Sequence, residues 1–161
     1  PPPPIPSPVG ASVMAHTFTQ LYFHIVFSTK IREPLIQPAW KAELFAYFGG
    51  IVRNRRGELL AAGGMPDHVH LLVRLPATLA IADAVRDIKA VSSGWRHEQG
   101  DSPFAWQGGY GAFSVSRSQL DVVKGYINRQ EEHHRTRTFQ EEFVALLERH
   151  GLEYDPRYLW D

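Results

Sequence analysis

Between Phe18 and Thr29 the side chains alternate, with Leu21, Phe23, Ile25 and Phe27 on one side of an extended chain and Tyr22, His24, Val26 and Ser28 on the other. A period of two predicts a strand. From Pro38 the period lengthens, and Trp40, Leu44, Phe48, Ile51 and Val52 form a stripe at helical spacing that runs to about Arg56. Pro38 suits a first helical turn, where its missing N–H costs nothing, and Gly57 ends the helix. Glu58 to Met65 and Val69 to Leu75 read as two further strands, joined through Met65-Pro66-Asp67 into a hairpin. Helical spacing returns at Ile81, Val85, Ile88 and Val91, with Thr78 as the expected N-cap and Ser92-Ser93-Gly94 as the weakening end.

The stretch from Phe104 to Ser116 sets Gly108, Gly109 and Gly111 among Trp106, Tyr110 and Phe113. Two accounts suit it: a backbone that approaches a ligand closely with aromatics free to stack on bases, or a bent strand whose aromatics pack inward. Ser118 and Asp121 have the spacing of a capping box and open a helix whose stripe is Leu120, Val123 and Ile127. Gly125 inside that helix costs about 1 kcal/mol relative to alanine, which implies cleared space or movement beside Tyr126. Thr138 and Glu141 open a last helix through Phe143, Leu146 and Leu147, ending at Gly151.

Strand, helix, strand, strand, helix, strand is the split β-α-β order of an α+β, ferredoxin-like or RRM-like antiparallel sheet. The first two helices are expected on one face, a C-terminal tyrosine-bearing helix follows, and the other face is expected to be left for substrate. A chain of 161 residues suits one domain, here residues 16–161. Residues 1–15 are Pro-rich and uncharged, so they read as a disordered extension, with Met14 as the expected natural start.

Composition excludes several classes of function. The absence of cysteine removes disulfides and thiolate metal sites, and no run of eighteen uncharged apolar residues suggests a membrane span. With no basic-then-apolar leader, a cytoplasmic, bacterial setting is the expectation. The formal net charge is zero, which at first counts against nucleic acid as a partner. Its distribution counts for it: residues 30–56 hold six Lys or Arg against two acids, whereas residues 131–161 hold eight acids against four Arg. Arg53, Arg55 and Arg56, near the end of the first helix, are candidate phosphate contacts, or simply a solvated helix end.

Candidate chemistry lies in two segments. In Asp67-His68-Val69-His70-Leu71-Leu72-Val73 the alternation puts both imidazoles on one face, where a neutral pair can share a borderline divalent ion and leave positions open for oxygen ligands and a phosphate. Equally, two strand histidines can be half-exposed and bind nothing. His24, alone on its strand, reads as a packing or surface residue. In Gly125-Tyr126-Ile127-Asn128-Arg129-Gln130, residues four apart stack on a helix, so the Gln130 amide oxygen becomes a third ligand and Tyr126 lies within reach of the same phosphate. A phenol with a pKa of about 10 needs such help to attack. The competing account is an amphipathic helix whose tyrosine packs on the sheet, and the position of Tyr126 beside the apolar stripe fits both.

Three separated stretches, Met65 to Val73, Trp106 to Ser114 and Tyr126 to His134, closely resemble the single-tyrosine HUH transposases of small bacterial insertion sequences, the IS200-like family. The resemblance extends to Val26-Phe27-Ser28-Thr29-Lys30 and Asp87-Ile88-Lys89 and runs from about Phe18 to the C-terminus. It implies Tyr126 as catalytic nucleophile, His68, His70 and Gln130 as metal ligands, and Mg2+ or Mn2+ as the ion, although two imidazoles also accept softer metals. It implies cleavage and rejoining of single-stranded DNA at element ends that form hairpins, through a 5′-phosphotyrosine. It also implies a homodimer whose sheets join edge to edge, in which the tyrosine helix of family members completes the partner's metal site, with Tyr126 of this chain left open to act in cis or in trans. One departure stands out: many members carry Asn immediately before the glutamine, where this chain has Arg129, and the expected effect is on DNA contacts more than on metal binding. Two other classes fit the residues, a non-catalytic nucleic-acid-binding module and a small metallohydrolase that uses water. They differ from the first in whether Tyr126 becomes linked to DNA.

Overall fold

A computed structural model of the chain describes residues 17–160; the expected extension over residues 1–15 lies outside them. Four strands, β1 (Tyr22–Ser28), β2 (Glu58–Met65), β3 (His68–Arg74) and β4 (Gly111–Val115), form one antiparallel sheet in the order β2-β3-β1-β4. Helices α1 (Pro38–Asn54) and α2 (Ile81–Glu98) lie on one face. There Leu44, Phe48, Val85 and Ile88 close over Ile25, Phe27, Val69, Leu71 and Val73 in the main core. This is the ferredoxin-like α+β arrangement predicted from the order of periodicities. No helix among the described residues is long and apolar enough to cross a membrane.

The second face is roofed as well, unlike the open face expected. Helices α3 (Leu120–Asn128), α4 (Gln130–His133) and α5 (Phe139–Arg149) follow β4. Phe139, Leu146 and Leu147 bury themselves with Val26 and Phe113 in a second cluster, flanked by Phe143, Tyr154, Leu159 and Trp160. The reason is apolar area: α5 carries a full stripe that has no other surface to cover. Gly63 of β2 lies so close beneath α3 that a Cβ there would overlap the Ile127 carbonyl. Gly63→Ala is therefore expected to cost about 1–3 kcal/mol by overpacking, read as a lower urea midpoint. Gly94→Ala, in open space on α2, should raise it.

Several element ends differ from expectation. β1 starts at Tyr22, where pairing with Arg74 and Val115 begins, and Phe18 is exposed. The N-cap of α2 is Ala80, not Thr78, and the helix continues through Ser92-Ser93-Gly94 to Glu98. It continues because Ser92 Oγ donates to the Ile88 carbonyl at 2.6 Å and Trp95 reaches the core, while Val91 faces solvent. Ser118 makes no capping bond for α3, whose N-cap is Gln119. Thr138 does cap α5, its hydroxyl accepting from the Glu141 amide. In the glycine-rich stretch, Trp106 packs on Phe27 and Phe104 and donates to Ser92 Oγ, and Phe113 is buried, so both aromatics are core rather than free platforms. Lys89 donates to the carbonyls of Gln107 and Gly109 and pins that loop.

Candidate metal and tyrosine centre

Strand β3 delivers His68 and His70 to the sheet face opposite the main core, and both are fully buried. Asp67, in the turn before β3, lies 2.7 Å from His68 Nδ1 and accepts its hydrogen bond, while Nε2 faces the oxygens of Gln130 and Glu142. His70 stands between two partners, with Nδ1 at 2.8 Å from His24 Nε2 and Nε2 at 2.8 Å from Glu142 Oε1. Since a carboxylate only accepts, the network assigns His70 a proton on Nε2 and makes His24 the donor to Nδ1.

Helix α3 does not run on to the glutamine. Arg129 leaves helical backbone (φ −107°, ψ 28°) and the chain re-enters a single turn at Gln130. Gln130 still reaches the site: it is buried, with Oε1 at 3.3 Å from His68 Nε2 and 3.1 Å from His134 Nε2. Tyr126 donates its hydroxyl hydrogen to Glu142 Oε2, and its ring lies 5.7 Å from that of His70 and 6.0 Å from that of His24. His68, His70, Gln130 and Tyr126 are thus brought together within one chain.

Three residues join them that sequence reasoning did not select. Glu142, 1% exposed, sits 2.8 Å from His70, 3.2 Å from His134 and 3.5 Å from His68. His134 and the buried His24 complete the ring of imidazoles. A signal for Glu142 was present: it occupies a stripe position on α5, three residues after Phe139 and four before Leu146, where an acid has no reason to be unless something inside binds it.

The electrostatics follow from that burial. For Glu142 burial works to raise the pKa, but hydrogen bonds with His68, His70 and Tyr126 outweigh it and hold the carboxyl well below the usual carboxylate range. Burial, then the hydrogen bond and charge of Glu142, push the Tyr126 phenol above its ordinary value. His24 and His70 are pulled down to about 3 and about 4, chiefly by burial. His68 is raised, because Asp67 and Glu142 together outweigh its burial.

A stability change with pH follows. An unfolded histidine protonates near pH 6.5, yet folded His70 and His24 stay neutral down to about 4 and about 3, so each withdraws stability as pH falls through that window. The slope is at most about 1.4 kcal/mol per pH unit for each group. His68 acts with opposite sign: its contribution is full below about pH 6.5 and is lost as pH rises through its raised value. In chelator, the Tm is expected to drop from pH 6.5 to 4, ahead of general carboxylate protonation, with a shallower drop in His24→Phe.

The donor set fits a divalent ion. His68, His70, His134 and Glu142 each offer a ligand atom, all within 4.8 Å of one another. His133 Nε2, buried beside Glu142 Oε2 at 3.4 Å, has no hydrogen-bond partner among the described residues. Imidazole nitrogens with one carboxylate and one amide oxygen suit borderline divalent metals.

The candidate DNA contacts divide. Arg129 is exposed beside Tyr126, and its guanidinium lies where a Cβ on Gly125 would meet it at 3.1 Å, a contact that a small shift of the arginine relieves. Arg53, Arg55 and Arg56 lie at the end of α1, across the sheet from the tyrosine, and Arg55 is paired with Asp87 at 2.6 Å.

A ferredoxin-like sheet with a buried His-x-His strand, a buried carboxylate among the imidazoles and a tyrosine hydrogen-bonded to that carboxylate is a donor set able to hold a divalent ion beside a phenol. The sequence model described as "Transposase IS200 like" matches residues 17–130, and the chain belongs to that family. It is 28% identical over 128 residues to the transposase for insertion sequence element IS200 of Salmonella typhimurium, covering 73% of this chain and 81% of that one; the Salmonella typhi protein matches equally. A crystal structure of a candidate transposase from Deinococcus radiodurans superposes with a TM-score of 0.57 at 24% identity, over 71% of this chain and 94% of the other. A REP-associated tyrosine transposase bound to a REP hairpin gives 0.57 at 18% identity, over 71% and 68%. At these identities the two structures speak for the fold. His134 and Glu142 lie beyond the matched residues 17–130.

Proposed function

We propose that the protein cleaves and rejoins single-stranded DNA, with Tyr126 as nucleophile and His68, His70 and Gln130, joined by Glu142, holding Mg2+ or Mn2+. One observation carries the reading: the phenol and His70 share the same buried carboxylate, so nucleophile and donor set are one unit. The imidazole content favours the softer of the two ions. A cation there supplies neutralisation of the charge that builds on the phosphate during attack.

The chain's own residues do the remainder. Tyr126 Oη forms a bond to phosphorus as the bond to the 3′ oxygen breaks, giving a 5′-phosphotyrosine and a 3′-hydroxyl; attack by a 3′-hydroxyl reverses the step. The phenolic proton already lies on the hydrogen bond to Glu142, which sets its route of departure. His70 would hold the ion through Nε2 with its proton on Nδ1, where His24 Nε2 would accept the hydrogen bond. Arg129 contacts the cleaved strand, whereas Arg53, Arg55 and Arg56 contact DNA away from the cut. Hairpin-bearing element ends are the substrate, as the hairpin-bound structural relative suggests. A homodimer is part of the proposal, joined along β2 or β4, the two edges of the sheet.

The test is incubation with end-labelled single-stranded DNA carrying the flanking element ends and Mn2+. The expected result is an adduct that survives denaturation, maps to Tyr126 and disappears in chelator. Cleavage without an adduct would favour a water-using hydrolase, and binding without cleavage a passive module.

A further inference from the structure

Beside Tyr126, on the β4 side, opens a cavity of about 460 Å³ that the chemistry above does not use. Phe113 and Leu146 wall it and Val122 stands at its lip, 63% exposed although apolar. At the mouth the His150 imidazole stacks on Phe113, with ring centroids 4.4 Å apart and planes 22° apart. Phe113 in turn lies 6.0 Å from His24 at a tilt of 58°, and His24 6.0 Å from Tyr126 edge-on, so rings from β1, β4, α3 and the end of α5 touch in series from Tyr126 outward. Arg149 also lines the cavity, and its charge acts on the Tyr126 phenol. Among the described residues it has no carboxylate within ion-pair distance.

We infer that this cavity is a nucleobase subsite, holding the base of one nucleotide next to the scissile phosphate while Arg149 contacts a neighbouring backbone phosphate. The inference rests on the reading of Tyr126 as nucleophile. A phosphate at Tyr126 Oη carries a nucleoside on each side, and Tyr126 borders two openings, this one and one lined by Arg129 and His133, so that one nucleoside can lie in each. An apolar slot with a ring stack and one uncommitted cation matches a flat base on a charged backbone, and stacking on aromatics is how sheet proteins commonly hold unpaired bases. The occupant is a base and not an apolar peptide because the slot ends at the nucleophile, where only substrate belongs.

The experiment measures adduct formation on strands with one abasic residue on either side of the scissile phosphate. In the wild type, one of the two positions should slow the reaction by about tenfold, the scale of one lost base stack. Val122→Trp, which fills the slot from an exposed position, should slow the intact strand by a similar factor and be insensitive to that abasic residue. His150→Ala should reduce the abasic penalty, and Arg149→Ala should lower the salt slope of strand binding by about 0.7. Abasic penalties that are absent in the wild type, or unchanged in Val122→Trp, would overturn the subsite. Intact-strand adduct at Tyr126 in the wild type is the internal control: its absence sinks the tyrosine chemistry itself, whereas its presence with insensitive variants sinks only the subsite.

Discussion

Tyr126→Phe is expected to eliminate protein-linked DNA, with strand cleavage falling at least about a thousandfold, the scale seen when a covalent nucleophile is removed. The substitution deletes one oxygen and keeps the ring that packs against His24, His70 and His133. The fold should therefore hold, at a cost of about 1 kcal/mol for the lost bond to Glu142. DNA affinity, measured by anisotropy, should change little. Cleavage that persists in this variant without an adduct would transfer the attack to water, and an adduct that persists would name another nucleophile.

Glu142→Gln should weaken Mn2+ binding by about 10–100-fold, measured by titration calorimetry, and slow adduct formation in step. The carboxylate accepts from His70, receives the Tyr126 hydroxyl and faces His68 and His134 within 3.5 Å. An amide of the same shape loses the charge and presents hydrogens to imidazoles that need an acceptor. Glu142→Ala goes further, leaving buried imidazoles unpaired, and is expected to cost roughly 3 kcal/mol of stability in chelator. Unchanged Mn2+ affinity in both variants would remove Glu142 from the site's chemistry. Because it lies beyond the residues matched by the family, its effect also measures how far α5 has become part of the centre.

Much of this architecture is readable in periodicity. The two-residue alternation in β1 and β3 assigns each side chain a face, and the stripes of α1 and α5 say which way those helices turn. Helix ends were less legible. α2 runs past three weak formers because Trp95 has a core to fill, and α3 breaks at Arg129, where no glycine or proline warns of it. The assignment of Phe113 and Trp106 to packing likewise depended on what lay opposite them.

What the chain determines by itself is local: His68 and His70 share a face because strand side chains alternate, and Gln130 is held near Tyr126 by short sequence separation alone. What only the tertiary structure decided is which distant groups meet them. His24 comes from β1, and Glu142 from a helix seventy-two positions beyond His70, brought in because the apolar stripe of α5 must cover the second face of the sheet. Burial then sets the chemistry, since a carboxylate among imidazoles acquires its partners and its depressed pKa only when water is excluded, and no spacing along the chain encodes that exclusion.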